Sequence, residues 1–318
     1  MKGLELARNY YDTYINTLLE AVPEARGRIA AGLVGEGSQC LGYDDKISQD
    51  HDFGPGFCIW LTDEDFASFG DRLQQAYDAL PDEFAGFSRK SCIARDRFGV
   101  MTIGDFYARF TGFADGVPPT LVDWLFVPEH QLAAATNGEV FVDSAGVFSG
   151  IRQKLLGFYP EDIRRKKIAA RAAVMSQAGQ YNLLRSIDRE DVVGATLALA
   201  RFTEAAISMA HLLEGRYTPF YKWGFRSLQE LDFGRCFVRH LNRISELEAS
   251  LYQRDFVKAH NQAFAITESI CRETVKELHR QGLSTIQSDF LQDHLPEIMD
   301  GIKDNQLRAL PPMLDCQN

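Results

Sequence analysis

The stretch that decides the fold reads Val34-Gly35-Glu36-Gly37-Ser38-Gln39-Cys40-Leu41-Gly42-Tyr43 and, after a short spacer, Asp50-His51-Asp52. In an extended segment successive side chains alternate faces, which would place Asp50 and Asp52 on one side and His51 on the other. Two carboxylates about 4 Å apart repel by about 1 kcal/mol in water and by several at an effective dielectric of about 20, so burial would raise one pKa or recruit a divalent cation. Upstream, Gly37-Ser38 offers backbone N–H groups unshielded by a Cβ, which is what a phosphate oxygen needs from a loop. An anion cradle joined to a metal clamp would hold a nucleoside triphosphate. His51, on the opposite face, reads as a structural histidine.

Outward from this stretch, the chain divides by texture. Leu4, Tyr11, Ile15, Leu18 and Val22 fall at intervals of one helical face, with Pro23 at the exit. Ile29 to Val34 reads as the strand that delivers the Gly-Ser turn, and Phe57 to Leu61 as a second strand. Thr62 followed by Asp63, Glu64 and Asp65 is a helix start with acid in its first turn, and Pro81 stops that helix. Arg97 to Ile103 reads as a third strand, with Asp105 capping a helix to Phe110. Leu121 to Leu125 reads as a short extended piece, Pro128 opens a helix ending at Asn137-Gly138, and Glu139 to Asp143 is a fourth strand. Beyond residue 150 strand signals all but vanish. Helices are expected from Pro160, over 191–214, and at about 227–249, 254–281 and 287–300. The fold class is therefore α+β: a small mixed sheet with flanking helices over 1–150, a helical bundle over 151–305, and a tail over 306–318.

Composition bounds the function. The 318 residues carry a net charge of −10 and a pI near 5.2, which disfavours gripping long nucleic acid by bulk electrostatics. Residues 1–150 hold 11 basic against 23 acidic side chains, or −12, and the remainder 23 against 21, or +2. The run Arg164-Arg165-Lys166-Lys167 spreads around a helix and reads as a solvated surface, with a phosphate or RNA contact as its alternative. Cys40, Cys58, Cys92, Cys236, Cys271 and Cys316 form no CxxC pair, which fits reduced cytoplasmic thiols. No apolar run is read as a membrane span and no signal peptide is evident. Gly-x-Gly-Ser is not a P-loop, because no Lys-Ser/Thr follows.

A strand, Gly-Ser, a spacer and Asp-His-Asp together resemble the signature of the nucleotidyltransferase superfamily that includes DNA polymerase beta and the antibiotic adenylyltransferases. The chain also looks like the bacterial DUF4037 group, through Gly35-x-Gly37-Ser38, Asp44-Asp45, Ser48-x-Asp50-His51-Asp52-x-Gly54-Pro55 and Gly138-Glu139-Val140-Phe141-x-Asp143-x-x-Gly146. That likeness continues through Arg152, Tyr159-Pro160-Glu161-Asp162 and Tyr217-x-Pro219-Phe220-Tyr221-Lys222-Trp223. The superfamily resemblance implies Gly37 and Ser38 on the triphosphate, and Asp50 and Asp52 on Mg²⁺ or Mn²⁺. It also implies transfer of a nucleoside monophosphate, from ATP by default, to a hydroxyl acceptor bound between the two domains: a small molecule, an RNA end or a protein. Its third carboxylate is open among Asp105, Asp123 and Asp143, with Asp123, flanked by Val122 and Trp124, the closest match. Tyr217 and Lys222 are nucleotide-binding candidates, one stacking on a base and the other holding a phosphate; the alternative is a proline-interrupted corner that packs aromatics. Without a third acid the competing reading is a degenerate nucleotide-binding sensor or toxin–antitoxin-type module.

Overall fold

Helix α1 (Gly3–Ala21) leads into strand β1 (Ala30–Leu33), the short helix α2 (Ser38–Leu41) and strand β2 (Cys58–Leu61). The computed structural model describes residues 1–49, 53–89, 97–251 and 256–315; Asp50, His51 and Asp52 lie outside them. Helix α3 (Asp63–Asp65) is capped by the Thr62 hydroxyl on Asp65 N–H and passes through one wide π turn (Phe66–Gly70) into α4 (Asp71–Asp78). A two-stranded hairpin of β3 (Glu83–Phe84) and β4 (Phe87–Ser88) precedes β5 (Gly99–Thr102) and α5 (Ile103–Thr111). Then come α6 (Leu121–Phe126), α7 (Glu129–Thr136), β6 (Glu139–Asp143) and α8 (Val147–Leu156). The rest is helical: α9 (Glu161–Met175), α10 (Leu183–Asp188), α11 (Val192–Leu213), α12 (Tyr221–Leu228), α13 (Arg235–Leu251), α14 (Phe256–Arg280), α15 (Leu295–Asp300) and α16 (Asn305–Ala309).

The backbone falls into two units, one of Met1–Pro118 with Gln131–Gly157 and one of Pro119–His130 with Phe158–Asn318. Thus 119–130 groups with the helical half and 151–157 with the sheet.

In the first unit the sheet runs β5-β2-β1-β6, with β1 antiparallel to β2 and β6, and β2 parallel to β5. Both faces are covered, so Cys58, Ile59, Trp60 and Leu61 are all buried and read as a continuous apolar run rather than an alternating one. Ile59 and Leu61 pack with Tyr10, Tyr11, Phe69 and Tyr77. Trp60 stacks on Phe148, ring centroids 3.9 Å apart. The β1–β6 register shifts between Ala31 and Gly32, where a Cβ on Gly32 would strike the Glu139 carbonyl; a strand glycine often marks such a bulge.

In the second unit α9 and α11 lie at the centre. α11 is long and apolar enough to cross a membrane by length and composition, unlike the sequence reading, and half of its most apolar window is buried within the structure. A central bundle helix has the same composition.

Several expectations change. Residues 121–125 are helical, because Thr120 and Asp123 cap each other's backbone N–H groups. The helix start at Ile103 is capped by Thr102, whose hydroxyl accepts from Asp105 N–H; Asp105 itself is not the cap. The helix expected over 227–249 is two helices, α12 and α13. Its break is held by Glu214, whose carboxylate accepts from the backbone N–H of Asp232, Phe233 and Gly234. The expected tail over 306–318 contains most of α16 and a buried Asp315 that pairs with Lys167 and Arg171. The basic run is not a solvated surface. Lys166 donates to the Leu310 and Pro311 carbonyls at 2.6 and 2.8 Å, Lys167 to Leu125 O at 3.2 Å, and Arg164 to Leu212 O at 3.0 Å. Burial pushes the Lys166 ammonium below its usual range.

Candidate functional site

The turn after β1 is built from glycines that must be glycines. Gly35 has φ of 129° and Gly37 of 103°, in the region L side chains avoid. A Cβ on Gly37 would also meet the Arg97 guanidinium. Asn137 holds this turn in a double clasp: its Oδ1 accepts from Gly35 N–H at 2.9 Å, and its Nδ2 donates to Gly35 O at 2.7 Å. Arg152 fixes the clasp from behind, donating to the carbonyls of Asn137 and Gly138 at 2.9 and 3.2 Å. The Asn137-Gly138 pair, which in sequence reads as a helix stop, therefore orients the glycine turn, with Arg152 bound to its carbonyls.

Cations surround the turn. Arg97 donates to Glu36 O, and Arg109 pairs with the Glu36 carboxylate at 3.0 Å. Arg89 donates to Tyr77 O at 3.0 Å and to the Tyr10 hydroxyl at 3.2 Å. These side chains border a cavity of about 920 Å³ within the first unit, lined also by Gly35, Glu36 and Asp105. The turn reaches the cavity through Gly35 and Glu36, whereas Gly37 and Ser38 open α2. Cys40 and Cys58 sit buried beneath, and burial pushes the Cys40 thiol up to about 12, so neither is a nucleophile at neutral pH. Asp44 and Asp45 have local duties: Asp44 accepts from Gly3 N–H at 2.9 Å, and Asp45 accepts from Ile47 and Ser48 N–H.

The three candidates for a third carboxylate separate cleanly. Strand β5 carries no acid. Asp143 ends β6 and accepts from Gly146 N–H at 3.0 Å and Ser149 N–H at 2.7 Å, capping α8. Asp123 belongs to the second unit and is taken up in the Thr120 cap. Asp105 alone of the three lines the cavity. Among the described residues no group of three or more His, Cys, Asp or Glu is placed to hold a metal ion.

Tyr217 and Lys222 are in the second unit. Tyr217 packs into an aromatic cluster, its ring centroid 4.9 Å from Phe158 and 5.0 Å from Tyr159, in the manner of a core corner. Lys222 is exposed, with its ammonium 5.4 Å from the centre of the Trp223 ring.

The second unit also contains a buried charge network with no counterpart in the sequence reading. Glu129, at the start of α7, receives Arg171 Nη2 at 2.5 Å, the Ser208 hydroxyl at 2.9 Å and the Thr218 hydroxyl at 2.6 Å. Arg171 also donates through Nε to Ser208 at 2.7 Å and through Nη1 to Asp315 at 3.3 Å. Burial raises the Glu129 pKa, but Arg171, Lys167 and the two hydroxyls outweigh it and hold the carboxyl at about 2. The one available signal was helical spacing, since Lys167, Arg171 and Val174 share a face of α9.

Residues 124–224 match the model of the family described as domain of unknown function DUF4037. The match covers about a third of the chain and contains Glu129, Lys167, Arg171, Ser208 and Thr218. It starts after the glycine turn, so it supports the DUF4037 part of the resemblance and leaves the nucleotidyltransferase part aside. No curated protein and no solved structure matches the chain.

Proposed function

We propose that the first unit binds a nucleoside triphosphate and that the chain transfers a nucleoside monophosphate, AMP by default, to a hydroxyl acceptor. The observation that carries this reading is the cavity at the end of β1. There a left-handed glycine turn, held by Asn137, meets the guanidinium groups of Arg97 and Arg109, and Arg89 lines the same cavity. Its volume, about 920 Å³, is near the upper end of small-molecule sites and has room for a triphosphate. Arginine forks suit phosphate oxygens by shape as well as charge.

Mg²⁺ or Mn²⁺ fits the donor types available. Such cations take one or two carboxylates with phosphate oxygens and waters; Asp50 and Asp52, outside the described residues, would supply such oxygens by the motif, and Asp105 stands on the cavity wall. When bound, the metal neutralises phosphate charge and makes the acceptor hydroxyl easier to deprotonate. The chain's own contribution is positioning: Arg97 and Arg109 orient phosphate groups, and the Asn137 clasp keeps the turn from relaxing.

A second reading, a nucleotide-binding sensor without transfer, is favoured by the acid-free β5 and by the capping duties of Asp123 and Asp143. Pyrophosphate release from each of four triphosphates with Mg²⁺, across metabolite and RNA acceptors, separates the two. Transfer predicts release that Asp50→Asn abolishes; full activity of that variant refutes the metal role. Triphosphate binding without release supports the sensor.

A further inference from the structure

Glu36 holds both guanidinium groups that border the glycine turn. Its carbonyl accepts from Arg97, and its carboxylate pairs with Arg109 Nη2 at 3.0 Å. All three residues line the first cavity. The backbone of Glu36 has little freedom to move away. Gly35 and Gly37 on either side have φ of 129° and 103°, and Asn137 binds both polar groups of Gly35. Its side chain is less constrained: the Glu36 and Arg109 side chains are 50% and 40% exposed, so the carboxylate can turn into solvent by rotation about its own bonds. Asp105, one helical turn before Arg109 on α5, lines the same cavity, so a second carboxylate shares that side of the helix.

We propose that Glu36 is an internal gate on the phosphate end of this cavity: its carboxylate occupies the Arg109 guanidinium until a phosphate chain displaces it. The proposal rests on the nucleotide reading of the first unit and specifies how that site is regulated. Three points carry it. First, a guanidinium that donates to a carboxylate offers a phosphate the same fork, so the two anions compete for it. Second, displacement does not end the competition. The fixed turn keeps the freed carboxylate within side-chain reach of the incoming phosphates, where like charges repel. Third, a half-exposed pair is of the weak kind, which biases the empty site yet yields to a multiply charged ligand. A divalent cation carried by the phosphate chain offsets the repulsion, so the gate bears hardest on the metal-free ligand.

The test is isothermal titration of the full chain with tripolyphosphate in EDTA at low salt, and with ATP and Mg²⁺, on the wild type, Glu36→Gln and Glu24→Gln. Glutamine keeps the length and shape of Glu36 and removes its charge, and at a half-exposed position it spares the core. Glu24→Gln is the control, because Glu24 forms an exposed pair with Arg72 in the same unit and does not line the cavity. Glu36→Gln binds metal-free tripolyphosphate about fivefold more tightly than the wild type, the worth of an exposed ion pair, or is the one form that binds it; Glu24→Gln matches the wild type. The gate is overturned, with the nucleotide reading intact, if ATP binds with Mg²⁺ but Glu36→Gln takes tripolyphosphate no more tightly than the wild type. A weaker Glu36→Gln also overturns it, since Glu36 then positions Arg109 for phosphate instead of withholding it. Equal gains in Glu36→Gln and Glu24→Gln overturn it as well, because they report only the net charge of the unit. If no form binds either ligand, the nucleotide reading and the gate fall together.

Discussion

The Glu129–Arg171 pair gives a sharp energetic prediction. Arg171→Met leaves Glu129 buried against Ser208 and Thr218 without its guanidinium, and takes the same guanidinium away from Asp315. Removing one partner of a buried pair typically costs about 3–5 kcal/mol, whereas replacing both with apolar or neutral groups is often close to neutral. Urea unfolding should therefore show a loss of roughly 3 kcal/mol or more for Arg171→Met, and the double variant Glu129→Gln/Arg171→Met should recover a large part of it. The pH dependence follows from the same site. With Glu129 at about 2 when folded and 4.5 as its ordinary value, the folded pKa is depressed. Its stabilisation is present above pH 4.5 and is lost as pH falls through 2. That difference corresponds to roughly 3 kcal/mol at neutral pH, most of which is lost between pH 5.5 and 2.5. His211 is buried, its Nδ1 donating to Ile207 O and its Nε2 paired with the Ser227 hydroxyl; burial depresses its pKa and the Glu129 charge partly offsets this. It therefore weakens the fold below its ordinary value near 6.5, somewhat more in Glu129→Gln, whereas the Glu129 loss sets in only around pH 4.5. The diagnostic quantity is thus the difference between wild type and Glu129→Gln, whose stability should fall less steeply with acid. Parallel acid curves for the two, together with a cost below about 1 kcal/mol for Arg171→Met, would refute the reasoning.

Further outcomes can be checked independently. Gly138→Ala combines φ of 64° with a Cβ placed against the Leu33 backbone, whereas Gly146→Ala has φ of 70° and open space. The first should cost well over 2 kcal/mol by thermal melting and the second about 1 kcal/mol. Asn137→Ala should leave the fold intact at a cost of about 1–3 kcal/mol but weaken triphosphate binding by about tenfold or more, because Gly35 loses both hydrogen bonds that orient the turn. Deleting residues 310–318 removes the carbonyl acceptors of Lys166 and the Asp315 carboxylate. It should cost about 3 kcal/mol or more, and a truncated chain as stable as wild type by urea titration would return the segment to the status of a tail.

Most elements were legible because local physics repeats along the chain. The period of α1, the Thr62 cap, the apolar run of β2 and the glycine turn after β1 each carry their signal within a few residues. Where a local pattern admitted two answers, the less local one won. Thr120-x-x-Asp123 made a helix of a stretch that looked extended, and Glu214, far from the 232–234 turn in sequence, broke a helix that looked continuous. The basic run at 164–167 failed for a different reason. Charge is read from composition as exposure, yet the carbonyls that satisfy Lys166 come from Leu310 and Pro311, and no periodicity announces a partner so distant in the chain.

By itself, then, the sequence determined the strand that delivers Gly35 to Ser38, the need for glycine there, the pairing of Asp50 with Asp52 as a motif, and the change to a helical second half. Only the tertiary structure decided which residues that turn meets. It brought Asn137, Arg152, Arg97 and Arg109 around Gly35 and Glu36, gave Asp105 and not Asp123 to the cavity, and buried Glu129 among Arg171, Ser208 and Thr218. The physical reason is the range of the forces that specify each. Backbone geometry and side-chain period act between neighbours in the chain, whereas the compensation of a buried charge or an orphaned carbonyl draws on whichever group the fold brings within about 3 Å.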